Sequence, residues 1–204
     1  MRDHENILEP AKRSPGRPRE FDEADILLRL VNLFWDKGYE STSLSDIVNV
    51  TGLKKGSLYS LFGGKHDMYI KSLAYYNRYY VKMACKDLID KALGSPRDRL
   101  DSFMSSPIKA LTEQEDQRGC FLCNAAAETA KPDIEVRRFI DAAHKDMLHA
   151  LETVLREENP VIGNIVIKKR ARALLVSYTG LRILARMSPE IELLQDAKIA
   201  ALEF

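Results

Sequence analysis

The chain has few cysteines and no long apolar run. Three cysteines among 204 residues, an odd number, do not form a disulfide framework. No apolar run approaches the roughly 20 residues that span a bilayer, and the charged first ten residues lack the apolar stretch of a signal peptide. We therefore expect a cytoplasmic protein that makes no contact with a membrane.

The motifs of common enzyme classes are also missing. The sequence contains no Ser/His/Asp arrangement, no defined carboxylate pair, no glycine-rich phosphate loop and no metal motif. We therefore expect no cofactor and no metal, and we do not expect an enzyme. Two alternative functions remain at this point: an enzyme, and a helical adaptor that binds only protein.

Positive charge is concentrated, although the chain as a whole is almost neutral. The 31 lysines and arginines balance 30 acidic residues. Residues 12–19, KRSPGRPR, hold four cations and no anion, and Lys54, Lys55 and Lys65 form a second group. Local cationic regions on a neutral chain suit a protein that binds phosphate at defined points and can be released again.

Apolar residues recur at helical spacing, and strand patterns are nearly absent, which predicts an all-α fold. Residues 1–20 are rich in proline and charge, which predicts a flexible basic arm. Capping residues, glycines and prolines divide the remainder. The predicted helices cover 22–37, 44–50, 54–61, 65–92, 97–113, 120–130, 132–158, 165–187 and 190–203.

The second and third predicted helices are short and closely joined. Ser43 and Asp46 have the spacing of a capping box, and a turn containing Gly52 follows. Two short helices joined by such a turn are typical of a helix-turn-helix. The second of them presents Lys54, Lys55, Ser57, Tyr59 and Ser60, and Gly56 permits close backbone approach to a major groove. A merely solvated polar face is the alternative interpretation.

This part of the chain resembles the DNA-binding region of the TetR family of transcriptional regulators. The resemblance covers about residues 17–73 and departs at His66, where an acidic residue is more usual. The matching positions are Phe34, Gly38, Tyr39, Thr42, Ser43, Ile47, Gly52, Gly56, Ser57, Leu58, Tyr59, Phe62 and Lys65. It implies a three-helix DNA-binding domain at 21–64, followed at 65–204 by a helical ligand-binding and dimerisation domain.

The resemblance also implies partners and residue roles. The protein would be a homodimeric repressor that binds a palindromic double-stranded operator and is released by an unknown small-molecule effector. Thr42 and Ser43 would donate to phosphate at the start of the second helix, and Lys65 would neutralise a backbone phosphate. Arg17, in the extended arm, would enter a minor groove, although a solubility tail is an equal alternative.

The body of the chain offers candidates for dimerisation and sensing. Small residues Ala173, Ser177 and Gly180 recur at a spacing that permits close helix approach, as in a two-fold interface or in an ordinary core. Cys120 and Cys123 share one helix face near a helix start, which favours a reactive thiolate, whereas buried free cysteines are usually inert. Further candidates for a ligand pocket are Asn124, His144, Met147 and Tyr178.

Overall fold

A computed structural model describes residues 22–129, 133–187 and 189–203. The described residues form helices and no strand, which confirms the predicted all-α class. The predicted basic arm, including Arg17, lies outside the described residues. No helix among them is long and apolar enough to cross a membrane.

The first three helices are α1 (Glu23–Lys37), α2 (Leu44–Thr51) and α3 (Lys55–Phe62). Asp22 caps α1 and Ser43 forms the predicted capping box with Asp46 at the start of α2. Gly52 ends α2 with a φ of 69°, a left-handed conformation that favours glycine. These local features explain why the predicted bounds of all three helices agree with the structure to within one residue.

The fourth predicted helix, 65–92, is interrupted in the structure. It consists of α4 (Lys65–Tyr76), a π-helical segment at Asn77–Val81 and α5 (Lys82–Ile89), and a short 3₁₀ turn follows at Lys91–Leu93. The π segment adds a residue to one turn, a feature that apolar periodicity alone does not predict. Tyr76 within this region packs on the ring of Trp35, with 4.9 Å between ring centroids.

Five further helices complete the body: α6 (Pro96–Glu113), α7 (Phe121–Glu128), α8 (Ile134–Glu158), α9 (Asn164–Ala185) and α10 (Ile191–Leu202). Helix α8 packs against α5 and α9, and α10 packs on α9. Helix α4 packs against both α1 and α8, so it joins the first three helices to the body. The short α7 lies against α4, α8 and α9.

Candidate nucleic-acid interface

Helix α3 buries its apolar side chains and leaves a polar face at the surface. Leu58 and Phe62 are buried in the core. The six residues predicted to face DNA are all exposed, namely Lys54, Lys55, Gly56, Ser57, Tyr59 and Ser60. A Cβ built at Gly56 meets no atom within 4 Å, so the backbone is open to close approach from outside.

The segment that contains α3 carries positive charge, and the first acidic side chain after it, Asp67, accepts a hydrogen bond from the backbone of Gly64. Residues 47–66 contain Lys54, Lys55 and Lys65 but no aspartate or glutamate. Within the described part of the chain, no acidic residue forms an ion pair with these three lysines. Their ammonium groups therefore remain available to phosphate.

Lys65 stands at the first position of α4, two residues after Gly63 ends α3. Its Nζ lies 4.4 Å from the centroid of the Tyr39 ring, a cation–π contact that orients the ammonium group. The residue before it, Gly64, is the N-cap of α4, and the backbone N–H of Gly64 donates to Asp67 at 2.7 Å. Lys65, which is predicted to bind a backbone phosphate, thus has a defined position at a helix N-terminus.

The predicted role of the Thr42 hydroxyl needs correction. Thr42 is only 1% exposed, and its hydroxyl donates to the carbonyl oxygen of Gly38 at 2.6 Å. This hydroxyl closes the turn between α1 and α2, so it does not face phosphate. Ser43 is exposed as predicted, but its hydroxyl donates to Asp46 at 2.8 Å in the capping box. Hydrogen bonds from Lys37 and Ser43 hold the pKa of Asp46 well below its ordinary value.

The contacts that hold these helices on the body were missed at the sequence level. The carboxylate of Glu128 accepts hydrogen bonds from the backbone N–H of Tyr39 at 2.9 Å and of Glu40 at 2.7 Å. Arg118 donates to Asn32 at 2.8 Å. No local pattern reveals such contacts, because the paired residues are more than 80 positions apart.

A third contact involves His66, the position at which the family resemblance departs. Its Nε2 lies 2.6 Å from Oδ2 of Asp133, which caps the start of α8. The unusual histidine at position 66 therefore marked a residue with a specific contact, although the sequence alone did not indicate that its partner is Asp133. Together with the contacts of Glu128 and Arg118, this contact joins α7 and the residues that flank it to α1 and to the start of α4.

Three of the predicted sensing residues lie in one buried cluster. Cys120 is the N-cap of α7, and Cys123 lies in the first turn of this helix. Tyr178 accepts hydrogen bonds from Nε and Nη2 of Arg182 at 3.0 and 2.8 Å. Hydrogen bonding from Cys123 and the charge of Arg182 outweigh burial and lower the pKa of Cys120 to about 6. Donating that hydrogen bond raises the pKa of Cys123.

The other predicted sensing residues are distributed around this cluster. Asn124 donates to the carbonyl oxygen of Arg118 at 3.1 Å and so fixes the segment before α7. Met147 is buried in the core and His144 is half-buried, both on α8. No hydrogen bond or ion pair within the described ranges joins His144 to the cysteine cluster.

A cavity separates α7 from the end of α1. It has a volume of about 420 Å³, and its lining includes Trp35, Gly38, Cys123, Asn124, Glu128 and Arg186. A second cavity of about 280 Å³ lies between α5 and α6, where Arg99 and Phe103 contribute to its wall. In the described residues, no group of three or more His, Cys, Asp or Glu side chains is placed to hold a metal ion.

Comparisons with known proteins agree with this geometry. Residues 26–71 match the family model described as bacterial regulatory proteins, tetR family. An uncharacterised HTH-type transcriptional regulator of Bacillus subtilis, YezE, is 28% identical over 185 residues, which are 89% of this chain and 94% of YezE. The transcriptional repressor ComR of Escherichia coli is 32% identical over 60% of this chain and 57% of its own.

Solved structures extend the similarity through the body. A cysteine mutant of the TetR family regulator CifR, complexed with 26-bp double-strand operator DNA, has a TM-score of 0.77 and 25% identity. That alignment covers 91% of this chain and 98% of CifR. Reduced NemR of E. coli shares the fold, with a TM-score of 0.75 and 19% identity over 87% of this chain and 95% of NemR. The matched domain, the relatives and the shared architecture together establish that the chain belongs to the TetR family of DNA-binding transcriptional regulators.

Proposed function

We propose that this chain is a ligand-released repressor that binds a palindromic operator as a homodimer. The observation that carries the proposal is the surface of α3, where six polar or small residues are exposed and the lysines form no ion pair with any acidic residue that the structure describes. Two relatives support it: ComR is named a repressor, and CifR is described in complex with double-strand operator DNA.

In this proposal, Lys55, Ser57 and Tyr59 contact base edges in the major groove. The flanking Lys54 and Ser60 extend this surface, and Ser43 and Lys65 bind phosphates on either side of it. Arg17 of the arm remains a proposed minor-groove contact. Because phosphate contacts fix the register and base contacts supply the specificity, the two groups should respond differently to substitution.

Selection of an operator from a random duplex pool, followed by titration at several salt concentrations, tests the proposal. Lys65→Ala should reduce operator affinity about tenfold and lower the salt slope by about one, since one phosphate contact is lost. Tyr59→Ala should weaken binding to the selected site more than to random DNA. Lys109→Ala, an exposed lysine on α6, is the matched control. Unchanged affinity in both test variants at moderate salt would refute these assignments.

Gly56→Ala should separate stability from DNA binding. The position is helical, and an added Cβ meets no atom, so alanine should raise the free energy of unfolding by about 0.5–1 kcal/mol. The same methyl group would stand between α3 and the groove, and we expect operator affinity to fall. Thermal melting and a binding titration of one preparation measure both effects. Wild-type affinity in the stabilised variant would show that the DNA does not approach this glycine.

Dimerisation is proposed through an apolar face of α9, and of the turn that follows it, which the body leaves exposed. Val176 is 72% exposed and Ile183 51%, Gly180 lies on the same face of α9, and Met187 in the turn is 73% exposed. These positions recur at intervals of three and four residues, as do the members of a helix–helix interface. A two-fold pairing there would cover the apolar side chains and present two α3 helices to one palindrome.

The effector is proposed to act beside α7. The 420 Å³ cavity is large enough for a small molecule, and it touches both the cysteine-bearing helix and the end of α1. A ligand placed there would contact the two parts of the protein whose relative position sets the spacing of paired α3 helices.

A further inference from the structure

We propose that α7 is a redox transmitter: oxidation joins Cys120 to Cys123 as a disulfide at its first turn, and this releases Glu128 at its last residue from the DNA-binding domain. The inference rests on the repressor function proposed above. It adds a modification site at the two cysteines and a structural connection from that site, along α7, to Glu128. Both ends of the path lie on one helix of eight residues, Phe121–Glu128.

The two cysteines are already placed as partners. Cys120 is the N-cap of α7, and Cys123 lies three residues further on, in the first turn of the helix. A pair at this spacing in the first turn of a helix is the arrangement of reactive CxxC sites. The third cysteine, Cys85, is half-buried on α5, and burial raises its pKa to about 11, so it is less reactive than Cys120.

Arg182 gives the pair a half-buried counter-charge. The side chain forms no ion pair with any acidic residue among those described, and its hydrogen bonds run to Tyr178 and Ser106. The charge of this guanidinium lowers the pKa of Cys120, so the thiolate and the guanidinium stabilise each other. Removing the thiolate charge would therefore disturb the packing of α7 on α9 as well as its first turn.

The backbone before Cys120 is tightly packed against α9. Gly119, directly before Cys120, has a φ of 71°, and a Cβ there would lie 2.7 Å from the carbonyl oxygen of Arg182. A disulfide brings two sulfurs to about 2.05 Å, closer than any hydrogen-bonded pair. Because Gly119 has no room to absorb the change, the displacement should pass along α7.

The far end of α7 holds the DNA-binding domain through a single carboxylate. Glu128 accepts the backbone N–H groups of Tyr39 and Glu40, the first two residues after Gly38. Gly38 has a φ of 82°, and a Cβ there would lie 2.8 Å from Glu128 Oε2, so the carboxylate occupies space that only glycine leaves free. The carboxylate also sits at the C-terminal ends of α1 and α7, where helix dipoles disfavour an anion. This contact is thus positioned to break under a small displacement.

The chemistry uses a hydroperoxide as the oxidant. The Cys120 thiolate attacks the O–O bond, which breaks as an S–O bond forms, and the departing alkoxide or hydroxide takes a proton from water. The Cys123 thiol then attacks the sulfenic acid sulfur; the S–S bond forms, and the hydroxyl leaves as water with the Cys123 proton. The two sulfurs together lose two electrons, and the peroxide gains them. The 420 Å³ cavity gives small oxidants access to Cys123, which is part of its wall, and Cys120 is buried three residues before it in the chain, at the start of the same helix turn.

The experiment uses the full chain carrying Cys85→Ser, which leaves only the two cysteines of α7. One equivalent of hydrogen peroxide should produce a mass loss of about 2 Da that maps to residues 120–123. Amide hydrogen exchange at Tyr39 and Glu40 should then accelerate about tenfold, and affinity for the selected operator should fall about tenfold. Glu128→Ala should show the fast exchange without peroxide.

A second variant, Cys85→Ser with Cys123→Ser, is the matched control, because it cannot close the disulfide. Peroxide should leave its Tyr39 and Glu40 exchange rates unchanged, even where Cys120 gains an oxygen. The proposal is overturned if peroxide leaves both thiols free, or if the disulfide forms while both amides keep their protection. If the reduced protein selects no operator, the proposed repressor function is wrong. The exchange measurement would still show whether the disulfide breaks the contact of Glu128 with Tyr39 and Glu40.

Discussion

Replacing Gly180 with leucine is expected to yield a folded monomer that binds the operator at least about a hundredfold more weakly than the wild type. A Cβ at Gly180 meets no atom within 4 Å inside the protomer, so the new side chain fits the isolated fold. Leucine is also a better helix former than glycine, by nearly 1 kcal/mol. The added bulk would instead project into the space proposed for a second protomer.

Loss of affinity follows from the loss of the second half-site. Two α3 helices bound to one duplex act as linked sites, and linkage contributes a factor of 10²–10⁴ without any new contact. A monomer retains only one helix and the local lysines. The variant should therefore keep weak, salt-dependent binding to random DNA while losing its preference for the palindrome.

Light scattering and an operator titration on the same samples measure the two effects. Lys168→Leu is the matched control, since it adds a leucine to an exposed position of α9 about 120° around the helix from Gly180. This control should remain dimeric. A dimer that persists in Gly180→Leu would place the interface elsewhere.

Arg99→Ala should destabilise the protein by about 3–5 kcal/mol, a large part of the stability of a domain of this size. Arg99 is 2% exposed although it is a charged residue. Its guanidinium donates to the carbonyl oxygens of Leu88 at 3.0 Å and Gly94 at 3.2 Å, and it forms an ion pair with Glu157 at 2.9 Å. Truncation leaves two carbonyls without their donor, and it leaves Glu157 with Lys91, at 3.9 Å, as its remaining cationic partner.

Urea unfolding followed by circular dichroism would measure this loss, with Lys109→Ala on the same helix as an exposed control. The control should change stability by less than about 0.5 kcal/mol. A loss below about 1 kcal/mol for Arg99→Ala would show that water replaces the guanidinium. The result bears on function, because Arg99 joins the end of α5 to α8 and forms part of the wall of the 280 Å³ cavity.

Local features explain why the DNA-binding helices were predictable. The Ser43–Asp46 capping box, the left-handed Gly52 and the apolar spacing of α1 act within a few residues of each other. Helix bounds and the exposed face of α3 follow from such short-range physics, and the predicted surface residues emerged where expected. Thr42 is the exception, because its hydroxyl found a carbonyl partner four residues away and became buried.

The sequence by itself determined the all-α class, the positions at which helices begin and end, and the polar face of α3, since capping and periodicity operate over one or two turns. Only the tertiary structure decided what these helices touch. The bonds of Glu128 to Tyr39 and Glu40, the His66–Asp133 pair and the position of Arg182 beside Cys120 join residues that are 60 or more positions apart. Such contacts depend on how helices pack, and packing is fixed by the whole core rather than by any segment of the chain.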